Sequence, residues 1–421
     1  MNAQVSFLEG TINLIHIPLP LYSSFLEPIL KVLLPLSRGS SSKDNNPFVN
    51  ISVTPLECSV VCNSLWAKSV FEPAIRRLPK SVSAGVSISK DAYAVLSFTS
   101  AGMDAGSRVA DLTSPLALAK IPIFFITTYY ADFILVPVKS ISAVVKTLLA
   151  KGFVFSEDDD SNNGGSVFTT ASAAHHARGS SGGTSADPRP STPPPSTILE
   201  LQERTFSTLK KRGVLPYIEP DLTLIQCSGR EVSELMASNQ ARRSYHQRNG
   251  AYSSSSSAFS SSSSYTPSWA DTVDTRLYTA LVAALVSQPR FLSLTLAQGD
   301  PPSMLMDRAL LPIFGDSVVG PGTTSFGPSD DEGSNNGGSN RGLVPIFLDL
   351  QDLPLEVTGI VSGVAGRLMR DLDEGDVNGN GREEDDDLEL SYLSTARAGA
   401  VILGAERSVR ALRVLMPLLS Q

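Results

Sequence analysis

The sequence predicts an α+β fold built from a repeated small unit, and three observations predict it. The first is the stretch Ile121–Leu149. Two short apolar, β-branched and aromatic runs, Ile121–Thr128 and Ala131–Val136, flank a polar-aromatic turn and read as an antiparallel hairpin. The second is the change of period that follows. Ile141, Val144, Val145 and Leu148 fall at i, i+3, i+4 and i+7, the stripe of an amphipathic helix. The third is the return of this pattern at the end of the chain. Leu393–Leu415 aligns without a gap on Ile126–Leu148, so that Ser394 lies over Thr127, Gly399 over Asp132, and Val401-Ile402-Leu403 over Ile134-Leu135-Val136. The separation is far too long for a stacked array, so the echo reads as a duplicated module.

A hairpin followed by a helix needs a strand and a helix before it to close a core. Ala92–Phe98 and Ser107–Ala119 supply them, with Pro115 expected to kink the helix. From the start of the chain, Thr11–Ile17 is a strand. Ser23–Leu34 is a helix with Phe25, Ile29, Val32 and Leu33 on one side, interrupted by Pro28. Phe48–Val53 and Glu57–Cys62 form a hairpin around Thr54-Pro55, and Ala67–Leu78 is a helix, completing a first unit. Ser156–Ser196 opens EDDD, continues in Gly, Ser and Thr, and ends RPSTPPPS, the composition of a linker. A third unit has a strand at Thr223–Gln226, a helix over Trp269–Val286 with Val273, Leu277, Leu281 and Leu285 on one face, and strands at Arg290–Leu296 and Ser303–Asp307. Its interior is broken by SSSSSAFSSSSSY, and Phe314–Arg341 is a further Gly/Ser-rich insertion. The fourth unit runs from the strand Val344–Leu350 through the loop Gln351–Thr358 to a helix opened by Gly359. It is interrupted by Asp371–Asp387 and resumes at the strand Leu388–Leu393. The units therefore span 1–84, 85–155, 198–314 (Ser-rich insertion 249–266) and 343–421 (acidic insertion 371–387), separated by 156–197 and 315–342.

Apolar residues make up 42% of the 421, enough for real cores, and the net charge of −8 lacks the basic face that nucleic acid requires. No run reaches the roughly 20 apolar residues that span a bilayer. The first apolar stretch carries Glu9 and Glu27, is broken by Pro18, Pro20 and Pro28, and lacks a basic start, so no export signal is read and a cytoplasmic location is expected. Three cysteines cannot all pair. Cys58 and Cys62 share one face of a strand and read as small apolar residues. His16 reads as a hydrogen-bonded core or edge residue, and His175-His176 lie inside the linker. Residues 376–387, DVNGNGREEDDD, match a calcium-loop template. Glu383 stands where that loop needs an apolar side chain, the last acid is Asp, and no helix pair flanks it, so the run reads as a solvated acidic insertion. The chain has no G-x-S-x-G, no G-x-x-x-x-G-K and no H-E-x-x-H. No catalytic residue, metal or cofactor is expected, and a binding protein is the class that remains.

The segment Tyr129-Tyr130-Ala131-Asp132-Phe133-Ile134-Leu135-Val136, with the Thr-Thr before it and the helix after it, resembles the second ACT domain of the CASTOR family, cytosolic arginine sensors for the TOR kinase complex. Leu355–Val361, running into the helix Ser362–Met369, resembles the ligand loop of that family's fourth ACT domain. The resemblance implies tandem ACT modules of βαββαβ form with antiparallel sheets and long disordered insertions. It implies an amino acid bound between modules 2 and 4, a protein partner in nutrient signalling, and an optional homodimer. Its ligand positions fall here on Asp111 and Leu112 of module 2, on Glu356, Thr358, Gly359, Ile360 and Val361 of module 4, and on Thr395 and Ala396 of the strand that closes the pocket. Two departures argue against arginine. Gly399 stands where the family has an aspartate, and Val357 where it has a glutamate, with Glu356 one position early and so on the other face of an extended chain. A ligand-free scaffold and a regulatory subunit of a biosynthetic enzyme remain open alternatives.

Overall fold

The computed structural model describes residues 4–34, 48–99, 107–156, 195, 197–230, 274–298, 300–321, 323, 342–376 and 389–420. The Ser-rich insertion, most of the linker with His175 and His176, and all but the first residue of the calcium-like run lie outside them.

After β1 (Gln4–Phe7), module 1 comprises β2 (Ile12–Ile17), α1 (Tyr22–Leu33), β3 (Phe48–Val53), β4 (Cys58–Asn63), a helical stretch ending in α2 (Glu72–Arg77), and β5 (Ser87–Ile88). Its sheet runs β5–β2–β4–β3, all antiparallel. Module 2 comprises β6 (Tyr93–Thr99), α3 (Arg108–Leu118), β7 (Phe124–Thr127), β8 (Asp132–Pro137), α4 (Ile141–Ala150) and β9 (Val154–Phe155). Its order is β9–β1–β6–β8–β7, with the N-terminal strand inserted parallel to β9. The helix α5 (Ile198–Lys211) and β10 (Pro216–Ile218) come next. Module 3 is β11 (Leu224–Gly229), α6 (Thr275–Val286), β12 (Leu292–Ala297), β13 (Ser303–Asp307), the single-turn α7 (Leu311–Phe314) and β14 (Val318–Val319). Module 4 is β15 (Leu343–Asp349), α8 (Ile360–Asp376), β16 (Ser391–Ser394), β17 (Ala398–Gly404) and α9 (Ala405–Leu419), with β10 filling the edge beside β15.

The prolines expected to interrupt helices are accommodated. Pro28 sits inside α1 and Pro115 inside α3, both of which run through. The helix α8 extends to Asp376, carrying the first residues of the acidic stretch, where Arg367 Nε donates to Asp371 one turn on at 2.7 Å.

The antiparallel sheets expected of tandem modules are present, but they are joined into one ladder. Edge strands leave unpaired backbone groups, and here the edges pair with each other. Modules 1 and 3 join through six residue pairs between β3 and β12. Modules 2 and 4 join at β7 and β16 through Leu393 opposite Ile126. Ile12 opposite Tyr93 and Leu224 opposite Leu343 close the corners, so the ladder returns on itself as a barrel.

Side-chain alternation sorts this ring into layers. In β8, Ile134 and Val136 face the helices, while Phe133 and Leu135 face inward with Phe48, Leu305, Phe347 and Ile402 from the other modules. Both faces are covered, which is why the strand reads as a continuous apolar run. A second helix-facing core, containing Cys58, Cys62, Phe25 and Leu281, belongs to modules 1 and 3. The two cysteines are thus small core residues, and burial pushes both thiols up.

Candidate functional site

The β7–β16 junction is built as a two-fold. Tyr392 N donates to Thr127 Oγ1 at 3.0 Å, and Phe125 N donates to Ser394 Oγ at 2.9 Å. These are reciprocal bonds between residues that the sequence alignment superposes. On the module 4 side of this junction lies a pocket of about 50 Å³. Ile123 and Phe124 enter it from module 2. Leu353, Pro354 and Val357 come from the loop after β15, the start of α8 forms one end, and Tyr392 and the turn Thr395–Ala398 close it.

Each part of this wall has a physical cause. Gly359 has φ of 86°, a conformation that costs a side-chain-bearing residue energy. A Cβ there would also sit 2.7 Å from Leu201 Cδ1 on α5, and Thr205 Oγ1 donates to the Gly359 carbonyl at 3.1 Å. Gly363 N donates to the Gly359 carbonyl at 2.7 Å, which leaves the amides of the first turn of α8 without intrahelical acceptors. Tyr392 is 1% exposed, its hydroxyl has no partner among the described residues, and burial pushes the phenol well up, so it stays a donor. Its ring lies over Gly399, where a Cβ would be 2.5 Å from the hydroxyl oxygen. The absent side chain at 399 is what makes room for the tyrosine.

The closing turn is held from module 1. The fully buried Glu57 accepts from Thr395 Oγ1 and from Arg397 N, both at 2.6 Å, and pairs with His16 Nδ1. Ala396 N donates to Ser59 Oγ at 3.1 Å. Of the core or edge position expected for a hydrogen-bonded His16, the structure shows the inner one, with β4 and β5 on either side. Glu57 has no signal in the sequence, because its partners in the closing turn are some 340 residues away.

Of the residues expected at the site, Gly359, Ile360, Val361, Thr395 and Ala396 line the pocket together with Val357. Asp111, Leu112, Glu356 and Thr358 do not. Leu112 is fully buried in the helix–sheet core, and Asp111 accepts from Ser107 Oγ at 2.8 Å. Tyr392 was not foreseen. The gap at Gly399 was its only signal.

The corresponding place in module 2 is filled. Asp132, superposed on Gly399, is 1% exposed and lies 2.7 Å from Arg108 Nε, itself 13% exposed. Burial raises the Asp132 carboxyl to about 6, against the opposing pull of the Arg108 guanidinium and the Thr127 hydroxyl; Glu389 adds a small upward push.

Residues 88–150, which fall within module 2 as the sequence delimits it, match the ACT-domain family. No curated protein matches the chain. Similar solved structures include a protein of Agrobacterium tumefaciens, 18% identical with a TM-score of 0.25, covering 38% of this chain and 95% of that one. The aspartate kinase of Synechocystis is 11% identical with a TM-score of 0.29, covering 99% of this chain and 56% of that one. The ligand-free regulatory subunit of aspartate kinase from Thermus thermophilus is 13% identical with a TM-score of 0.25, covering 35% and 95%. At these scores the structural likenesses carry no argument. Among the described residues, no helix is long and apolar enough to cross a membrane.

Proposed function

We propose that this chain is a non-enzymatic regulatory protein that binds a small neutral amino acid between modules 2 and 4. On this reading it shares its architecture, but not its ligand, with the cytosolic arginine sensors of TOR signalling, and it reports occupancy to a protein partner in nutrient signalling. The observation that carries this is the Tyr392 hydroxyl, without a partner among the described residues, in a pocket that the first turn of α8 also lines. A buried donor without an acceptor costs about 1–3 kcal/mol. A ligand carboxylate would satisfy the hydroxyl and the helix amides together.

Size and chemistry narrow the ligand. Each water needs about 10–15 Å³ by this measure, so 50 Å³ holds a few waters or the backbone of a small amino acid. Among the described residues, no acidic side chain lines the pocket to meet a guanidinium. Thermal-shift screening of the twenty amino acids tests the proposal. A selective rise with glycine, alanine or serine, lost in Tyr392→Phe, is the expected result. A rise with arginine, or none with any of them, contradicts it. The small volume also favours one alternative, a scaffold that kept the fold without a ligand, and a flat screen is its signature. Affinity purification with mass spectrometry then identifies the partner, either a signalling complex or a biosynthetic enzyme.

A further inference from the structure

Modules 1 and 3 are joined edge to edge as modules 2 and 4 are, and the corresponding place in that pair holds a larger cavity. The 2–4 pocket is made of three parts: the loop after the first strand of one module, the hairpin turn of the same module, and the residues that lead into the second strand of its neighbour. A cavity of about 310 Å³ is made of the same three parts in the other pair. Leu19 and Tyr22 follow β2, Val53 to Pro55 end β3 and begin its turn, and Gln288 to Arg290 lead into β12. Glu219, just beyond β10, adds a fourth wall.

We propose that this cavity is a second ligand site, and that it takes a free α-amino acid with an aliphatic or aromatic side chain. Volume is the first reason, since 310 Å³ has room for an amino acid with a large side chain, whereas the 50 Å³ of the 2–4 pocket suits only the smallest. Charge is the second. Arg290 and Glu219 face each other with 3.9 Å between Nη2 and Oε1, beyond hydrogen-bond length. Arg290 donates to the Pro220 carbonyl at 2.7 Å, which leaves most of its five N–H groups for other acceptors. A ligand carrying one charge would pair with one of these groups and crowd the other. A zwitterion pairs with both, its carboxylate on Arg290 and its ammonium on Glu219. Most of the remaining wall is apolar: Leu19, Val53, Pro55, Pro289 and the ring of Tyr22, whose hydroxyl donates to the Leu285 carbonyl at 2.7 Å. Its two other polar side chains are engaged as well, Thr54 Oγ1 donating to the Glu57 carbonyl at 3.1 Å and Gln288 Nε2 to Ser23 Oγ at 3.2 Å. This site does not depend on occupancy of the 2–4 pocket.

The test is calorimetric titration of the full chain with leucine and with phenylalanine, alongside 4-methylpentanoate and isoamylamine as single-charge controls. Arg290→Met and Glu219→Gln probe this cavity, where the two side chains are 48% and 35% exposed, so neither change empties a core. Pro354→Trp, at an exposed position on the rim of the 2–4 pocket, blocks that site instead. Saturable binding of leucine or phenylalanine that survives Pro354→Trp and weakens about ten- to a hundred-fold in Arg290→Met and Glu219→Gln is the expected result. Binding lost in Pro354→Trp but kept in Arg290→Met places the ligand in the other pocket and overturns the proposal. So does 4-methylpentanoate or isoamylamine binding as well as leucine, and so does no binding of either amino acid. A response to glycine, alanine or serine that only Pro354→Trp removes speaks to the 2–4 pocket alone.

Discussion

Modules 2 and 4 use the same strand, helix and hairpin about one two-fold, yet their buried ends hold opposite chemistry. In module 4, Gly399 leaves space that Tyr392 enters, and beside it remain a small pocket and a hydroxyl without a partner among the described residues. In module 2, the superposed position is Asp132, and Arg108 closes on its carboxylate at 2.7 Å. The difference teaches that the fold fixes where a pocket can form, while single residues decide whether it stays open. A glycine opened one end, and an ion pair filled the other.

The hairpin turns differ in the same way. The module 4 turn is fastened to module 1 by Glu57, and the module 2 turn to module 3 by Ser303 Oγ, which accepts from Tyr129 N at 2.8 Å, and by the 2.7 Å contact between the Tyr130 and Ser228 hydroxyls. A buried carboxylate binds one turn, and neutral hydroxyls bind the other.

The largest expected effect breaks the filled end. Arg108→Ala leaves Asp132 buried without its counter-charge and is expected to cost about 3–5 kcal/mol at pH 7.5. Urea denaturation measures it, and a loss under 1 kcal/mol would mean that the pair does not hold module 2 together. Next is Gly359→Ala, which forces a side chain into a left-handed conformation and against Leu201, at a cost of roughly 2 kcal/mol in the same assay.

How far these features were legible in the sequence depends on whether their causes are local. The β7–β8–α4 stretch and its echo at β16–β17–α9 were readable because the change of period lies within one segment. Gly359 was readable as a helix opener. The strand β1 was not, since four residues with only Val5 fully buried mean little until β6 and β9 flank them. Nor does Pro216-Tyr217-Ile218 announce that it completes the sheet of module 4, as its partner Ile346-Phe347-Leu348 is far along the chain. Asp111 came from the resemblance alone, and the structure gives it a local partner in Ser107. Tyr392, Asp132 and Glu57 share one difficulty. Each owes its environment to a residue that only folding brings near.

A smaller effect sharpens the comparison by pH. Asp132 titrates at about 6 in the folded chain against an ordinary 3.8, so the folded state holds this proton more tightly than the unfolded chain does. Its contribution to stability is full below 3.8 and is lost as the pH rises through about 6. Relative to Asp132→Asn, the wild-type chain is therefore expected to gain about 1 kcal/mol on acidification from pH 6 to 5, where the folded group takes up about half a proton to nearly a whole one, and little between 8 and 7. Denaturation curves of both proteins across that range measure the slope, and parallel pH profiles would contradict the assignment. The smallest effect belongs to the open end. Tyr392→Phe removes a buried hydroxyl that has no partner among the described residues, so unliganded stability is expected to stay level or rise by up to about 1 kcal/mol.

The most direct measurement is calorimetric titration of the wild-type chain and Tyr392→Phe with glycine, alanine, serine and arginine. The account predicts saturable binding of at least one of the three small amino acids to the wild type, at least ten-fold weaker binding to Tyr392→Phe, and no heat from arginine. Equal affinity in the two proteins, or binding of arginine alone, would contradict it.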